Sequence, residues 1–215
     1  MKGVFISFEG IEGTGKTTQA RLLAGHLSDR GYATVLTEEP GGTPIGLRIR
    51  EVLLKVEHRE MHHMTELLLY NASRCQHIHE VVLPAVNSGR IVLTDRFTDS
   101  TIAYQGYGRG IDLSVIDALD RTATGGLKPD LTLLLDLDVA TGLKRNRGAN
   151  KIDRLELEDI EFHTRVRAGY HKLSHKEPER IRLIDASGSI EEIQQEIIIM
   201  VDDFLKKGAT GSSVN

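Results

Sequence analysis

Five short apolar runs punctuate the chain, at Val4–Phe8, Ala33–Thr37, Arg90–Thr94, Leu131–Leu137 and Arg180–Ile184, and each has the length of a β-strand. Between them lie longer segments with helical spacing. They comprise Thr17–Arg30 with Gly31 as a stop, Pro44–Lys55, a long one from about Glu60 to Asn87, and Ser189–Leu205. Strand and helix patterns in alternation predict an α/β fold, a five-stranded parallel sheet with helices on both faces. No internal repeat is present. Residues 1–207 read as a single domain, and the small polar residues 208–215, "GATGSSVN", have nothing to bury and read as a flexible tail. Two stretches are too charged or too glycine-rich to be mere connectors and read as candidate active-site loops: "QGYGRG" at Gln105–Gly110 and "KRNRGANKIDR" at Lys144–Arg154.

The 215 residues are 40% hydrophobic, enough for one well-buried core, so composition adds no second domain. A formal charge of −4 argues against wrapping nucleic acid or an anionic membrane. Any phosphate must therefore be met by local cations. Cys75 stands alone, which excludes an internal disulfide, favours a reducing compartment and reads as a buried thiol. The chain enters its first strand directly, without an apolar run long enough for a signal peptide or a membrane span, so a cytoplasmic location is expected.

Chemistry enters at "GIEGTGKT". Gly10-x-x-x-x-Gly15-Lys16-Thr17 follows a buried strand and opens a helix, the context in which a glycine-rich loop cradles phosphates. Backbone N–H groups from Gly10, Ile11, Glu12, Gly13, Thr14, Gly15, Lys16, Thr17 and Thr18 would wrap a nucleoside triphosphate. Lys16 would reach its β- and γ-phosphates and the Thr17 hydroxyl would ligate Mg²⁺. "IVLTDRF" places Asp95, a second candidate for Mg²⁺, and Arg96, a phosphate contact, at the C-terminal end of a strand, where open parallel sheets bind ligands. A P-loop alone does not separate a kinase from a nucleotide-dependent switch; no convincing guanine-reading Asn-Lys-x-Asp sequence stands out, which puts a GTPase behind a kinase as the leading reading.

Taken together, "FEGIEGTGKTTQ", "EPGGT" at Glu39–Thr43, "YNASRCQ" at Tyr70–Gln76, "DRFTDSTIAYQGYGRG" at Asp95–Gly110, "KPDLTLLLDLD" and "DRLELE" resemble the thymidylate kinase family over nearly the whole chain. The resemblance implies transfer of the γ-phosphoryl of ATP to dTMP, with Mg²⁺ and a homodimer whose interface is expected on the long central helices. Another nucleotide or deoxynucleoside kinase is the alternative. By similarity, Tyr70 lies against the thymine ring, Arg74 donates to its O4, and Ser100 and Thr101 stand near its N3 edge. Tyr104 occupies the place of a ribose 2′-OH, and Gln105 lines the same pocket. Arg96 and Arg50 clamp the dTMP phosphate with help from Glu39, and Glu12 faces the acceptor's sugar and phosphate. The variable P-loop positions carry no cation, so the resemblance assigns the catalytic charge to a lid at about 144–155, with Arg145 and Arg147 foremost and Lys151 and Arg154 beside them.

Several of these residues also have plainer readings. Tyr70 alone would more often be core packing, and a charge run in a loop is usually just solvated. His58, His62, His63, His77 and His79 lack the carboxylates or cysteines of a metal site, and read as surface or dimer-edge residues.

Overall fold

We describe the protein from a computed structural model covering residues 3–148 and 153–211, with the backbone alone at 147–148 and 208–211. The strands β1 (Val4–Glu9), β2 (Thr34–Glu38), β3 (Ile91–Asp95), β4 (Leu131–Asp136) and β5 (Ile181–Asp185) form one parallel sheet in the order β2-β3-β1-β4-β5. All five expected strands are present. Phe8 on β1 pairs with Asp95 on β3, so the carboxyl ends of the two central strands open side by side.

Successive side chains of β1 serve opposite faces, as the strand period of two requires. Ile6 and Phe8 join Leu93, Leu133 and Leu135 in a cluster closed by Leu23 and Leu27 of α1 (Lys16–Asp29) and by Ile193, Ile197 and Val201 of α9 (Ile190–Gly211). Phe5 and Val92 face the other way, against Ile78, Val82 and Val86. Each fully buried chain of this size contributes roughly 1.5–3 kcal/mol, so the sheet is fixed by its core. The polar loops at the strand ends are left for ligands.

Local signals set the helix ends. Thr43 caps α2 (Pro44–Leu54) by accepting from Gly46 N at 2.9 Å, with Pro44 at the first helical position. The expected long helix from about Glu60 starts later, as α3 (His63–His77), because His62 caps it by accepting from Met64 N. A π-helical segment (Ile78–Val82) then joins it to α4 (Leu83–Asn87); Pro84 lacks the N–H that a continuous α-helical ladder needs.

"QGYGRG" is largely helical rather than a loop. α5 (Thr98–Thr101) passes into a second π-helical segment (Ile102–Gly108), and a Cβ on Gly108 would sit 2.7 Å from the ring of Phe162. That glycine admits α8 (Ile160–Lys176). Neither α8, nor α6 (Leu113–Thr124), nor α7 (Val139–Gly148) was anticipated. α7 takes up the first part of the presumed lid, and residues 149–152 lie outside the described residues. α9 runs to Gly211, past its expected end at Leu205, and the last four tail residues lie outside the described residues. Cys75 is half-buried, not enclosed. Among the described residues no helix is long and apolar enough to cross a membrane.

Candidate active site

Gly15 takes φ 91° at the start of α1 and supplies no side-chain cap, so the helix's first N–H groups stay available to an anion. Gly13, at φ 74°, runs so close to α7 that a Cβ would meet the carbonyl of Gly142. Lys16 is buried, and its Nζ donates to Ile11 O at 2.7 Å. Burial, and then Arg96, lower its pKa to about 8. Thr17 Oγ1 donates to Asp95 Oδ2, which brings both proposed metal-binding residues together. These are hard oxygen donors beside the phosphate loop, the chemistry that Mg²⁺ accepts.

Arg96 is the hub of the site. Its backbone adopts φ 74°, a left-handed conformation that costs a non-glycine residue about 1–2 kcal/mol. The surroundings hold it there: Arg96 N donates to Phe8 O at 2.9 Å, and Glu9 accepts from the next N–H, that of Phe97, at 2.7 Å. The guanidinium donates to Gly10 O, Ser100 Oγ and Tyr170 Oη through Nη1, and to Glu12 Oε1 and Tyr104 Oη through Nη2. Glu9 also accepts from Ser100 Oγ at 2.6 Å and Tyr170 Oη at 2.9 Å. Burial, and then Asp99, push the Glu9 carboxyl up to about 7 against these donors. Burial would raise Glu12 as well, but His163, Arg96 and Lys16 outweigh it and hold that carboxyl well below the ordinary range.

A cavity of about 620 Å³ joins these parts. Its wall includes Glu12, Gly13, Gly15, Lys16, Thr17 and Thr18 from the phosphate loop, together with Asp95 and Arg96. It also includes Glu39, Arg50, Tyr70, Arg74, Ser100, Thr101, Tyr104, Gln105 and Arg145. Thr14 is buried beneath the loop, while Gly10 and Ile11 contribute the carbonyls that hold Arg96 and Lys16.

Arg74 is fully enclosed. It donates to Glu39, Thr101, Asp120 and Phe97 O, which uses four of its five N–H groups. Glu39 therefore fixes Arg74, not Arg50 or Arg96. Arg50 instead donates to Pro40 O at 2.6 Å. Gln105 is turned to Glu66, at 2.8 Å.

The lid cations separate. Arg145 reaches across to the carbonyls of Ala186 and Ser187 after β5. Arg154 is buried, donates to Leu53 O and pairs with Glu66, so its side chain is held at the end of the expected lid segment and is not free to swing over a nucleotide. The side chain of Arg147, and all of Lys151, lie outside the described residues.

His77 corrects its sequence reading. It is fully buried and bridges Glu39 Oε1 at 2.8 Å to Thr37 Oγ1 at 2.7 Å, which positions Arg74 through Glu39. The sequence reading also missed Glu9, although it sits inside the quoted "FEG", and Tyr170, whose helix it did not find. A literal Asn-Lys-x-Asp string does occur, at Asn150–Asp153, so the absence of one is no argument against a GTPase. Asp153 Oδ1 accepts from Leu155 N and Glu156 N, at 2.9 and 3.0 Å. Asn150–Ile152 lie outside the described residues.

Comparison with known proteins resolves the choice of family. The thymidylate kinase family model matches residues 8–197. Over 212 residues the chain is 50% identical to the thymidylate kinase of Geotalea uraniireducens strain Rf4, covering 96% of this chain and 100% of that protein. It is 46% identical over 215 residues to that of Desulfovibrio desulfuricans, covering 97% and 99%. The crystal structure of thymidylate kinase from Ehrlichia chaffeensis superposes with a TM-score of 0.76 at 37% identity, covering 94% of this chain and 99% of that one. The P-loop kinase fold, the cavity at the ends of β1 and β3 and these similarities agree: the chain belongs to the thymidylate kinase family.

Proposed function

We propose that the protein transfers the γ-phosphoryl of ATP to dTMP, giving ADP and dTDP, within one kinase domain of residues 1–207. The observation that carries this reading is a single cavity whose wall joins the phosphate loop, with Arg96 bonded to it, to Arg50, Arg74 and Tyr70. The N–H groups of residues 10–18 bind the triphosphate, and Lys16 meets the transferring phosphoryl. Tyr70 stacks on thymine, and the spare N–H of Arg74 reaches O4. Ser100, Thr101 and Gln105 line the base pocket, and Tyr104 fills the space a ribose hydroxyl would take. Arg96 and Arg50 hold the acceptor phosphate, with Glu12 beside them.

The acceptor is a phosphate monoester whose second pKa is about 6, so its oxygen is already ionised and needs no protein base. Bringing two polyanions together is the obstacle, and placed cations answer it. Mg²⁺ held by Thr17 and Asp95 would neutralise β- and γ-phosphate charge. A lid at about 144–155, carrying Arg145 and Arg147, would close over ATP and exclude water. Ile45, Leu47 and Val52 of α2 and Leu68 of α3 are exposed apolar side chains, which supports a homodimer across that side. Small-molecule substrates and the lone Cys75 fit a cytoplasmic setting.

Replacing Lys16 with Ala tests the ATP end. The fold should persist while kcat falls by orders of magnitude, because the charge acts on the transferring phosphoryl. Near-normal turnover would move the ATP site away from this loop.

A further inference from the structure

Glu12 stands in the path of an incoming anion. Its Oε1 accepts from Arg96 Nη2 at 3.0 Å and from the Tyr104 hydroxyl at 2.6 Å. It thus occupies the guanidinium that the reading above assigns to the phosphate of dTMP, and a second anion there must displace it or be repelled. Oε2 of the same carboxylate is buried and has no hydrogen-bond partner among the described residues.

The group facing that oxygen is His163, on α8. It is only 1% exposed, and neither ring nitrogen has a hydrogen-bond partner among the described residues. Its Nδ1 lies 3.6 Å from Glu12 Oε2, inside ion-pair range but outside a hydrogen bond. Two buried polar groups left this close without bonding are poorly satisfied, and a shift of about 0.7 Å would give a normal charge-assisted bond. His163 is not the part that moves. Asp159 caps α8 by accepting from Phe162 N, and Phe162 is seated against Gly108. Glu12 lies on a loop and swings more readily.

We propose that His163 is a positioning residue that receives the Glu12 carboxylate when the phosphate of dTMP takes Arg96. In the free enzyme Glu12 holds Arg96 in its binding orientation and stands in for the absent anion. On binding, the phosphate replaces it, and His163 supplies the bond that Glu12 loses. Without His163, Glu12 stays on Arg96 and competes with the acceptor. The inference rests on placing the dTMP phosphate at Arg96, so its test includes a check of that placement.

The test is steady-state kinetics for each substrate, with melting temperatures, on His163→Phe, His163→Gln, Glu12→Gln, the Glu12→Gln/His163→Phe double variant and Arg96→Ala. His163→Phe keeps the ring volume and removes both nitrogens. It should raise KM for dTMP roughly tenfold, with KM for ATP and kcat within about twofold of the parent. His163→Gln, which can still donate to Oε2, should recover most of the loss. In the Glu12→Gln background the His163 substitution should add nothing, because no carboxylate remains to be received. Equal effects of Phe and Gln, parallel rises in both KM values, or additive effects in the double variant would each overturn the proposal and leave His163 as packing. If His163→Phe does not fold, His163→Leu takes its place under the same criteria. An unchanged KM for dTMP in Arg96→Ala would remove the phosphate placement itself; a large rise there without the His163 pattern would remove only this inference.

Discussion

Glu9 shows how a single buried carboxyl builds the site and also records pH. It receives Phe97 N, Ser100 Oγ and Tyr170 Oη, and through them it fixes the loop on which Arg96 sits in a left-handed conformation. Its pKa is pushed up to about 7 from an ordinary 4.5, first by burial and then by Asp99. Below 4.5 the carboxyl is protonated in both folded and unfolded chains, and its contribution to stability is fully present. As pH rises toward 7 the unfolded chain has released a proton that the folded chain still holds, so that contribution is lost, by at most about 1.4 kcal/mol per pH unit. Glu9→Gln should therefore flatten the decline of urea-unfolding free energy between pH 5 and 7 relative to the parent. An unchanged slope would show that Glu9 is not the group responsible. At this scale the sequence was legible where a motif is local: Lys16, Thr17, Asp95 and Arg96 each sit in a short string with a chemical reason. Tyr170 was not, because its bond to Glu9 spans 161 residues and no spacing rule connects them.

At the scale of elements, the strands were readable because burial on both faces makes them continuous apolar runs, and α1 because Gly15 and Gly31 bracket it. α7 and α8 escaped notice for a physical reason: α7 ends in a run of cations, α8 carries mixed charge, and their glycines look like breaks. Those glycines are points of close approach. A Cβ on Gly142 of α7 would lie 2.5 Å from the backbone oxygen of Glu12, so α7 rests directly on the phosphate loop. Gly142→Ala should therefore destabilise the fold by about 1–3 kcal/mol through overpacking, and raise KM for ATP as the loop is displaced. Unaltered melting and unaltered KM would mean that α7 slides away without cost. The helical character of "QGYGRG" has the same origin, since Gly108 is small to admit Phe162 and not to make a turn.

For the whole molecule, the parallel sheet and the placing of ligands at its carboxyl edge follow from the βα alternation, whereas the strand order β2-β3-β1-β4-β5 and the residues of a dimer face do not. The central helices were the expected contact, and the packing of α2 on α3 narrows it to the exposed Ile45, Leu47, Val52 and Leu68. If that face joins two copies, the parent should sediment as a dimer and Leu68→Asp should shift it toward monomer; a parent that sediments as a monomer at micromolar concentration would exclude it. The central claim, however, is phosphoryl transfer to one acceptor in one cavity. Its most direct test is ADP release from ATP measured with dTMP, dUMP, dCMP, dGMP and thymidine as acceptors, with the phosphorylated product identified in each case. Rapid turnover with dTMP yielding dTDP is expected, with much slower turnover with the other monophosphates and none with thymidine, which lacks the phosphate proposed to sit on Arg96 and Arg50. Slow ADP release indifferent to the acceptor would contradict it.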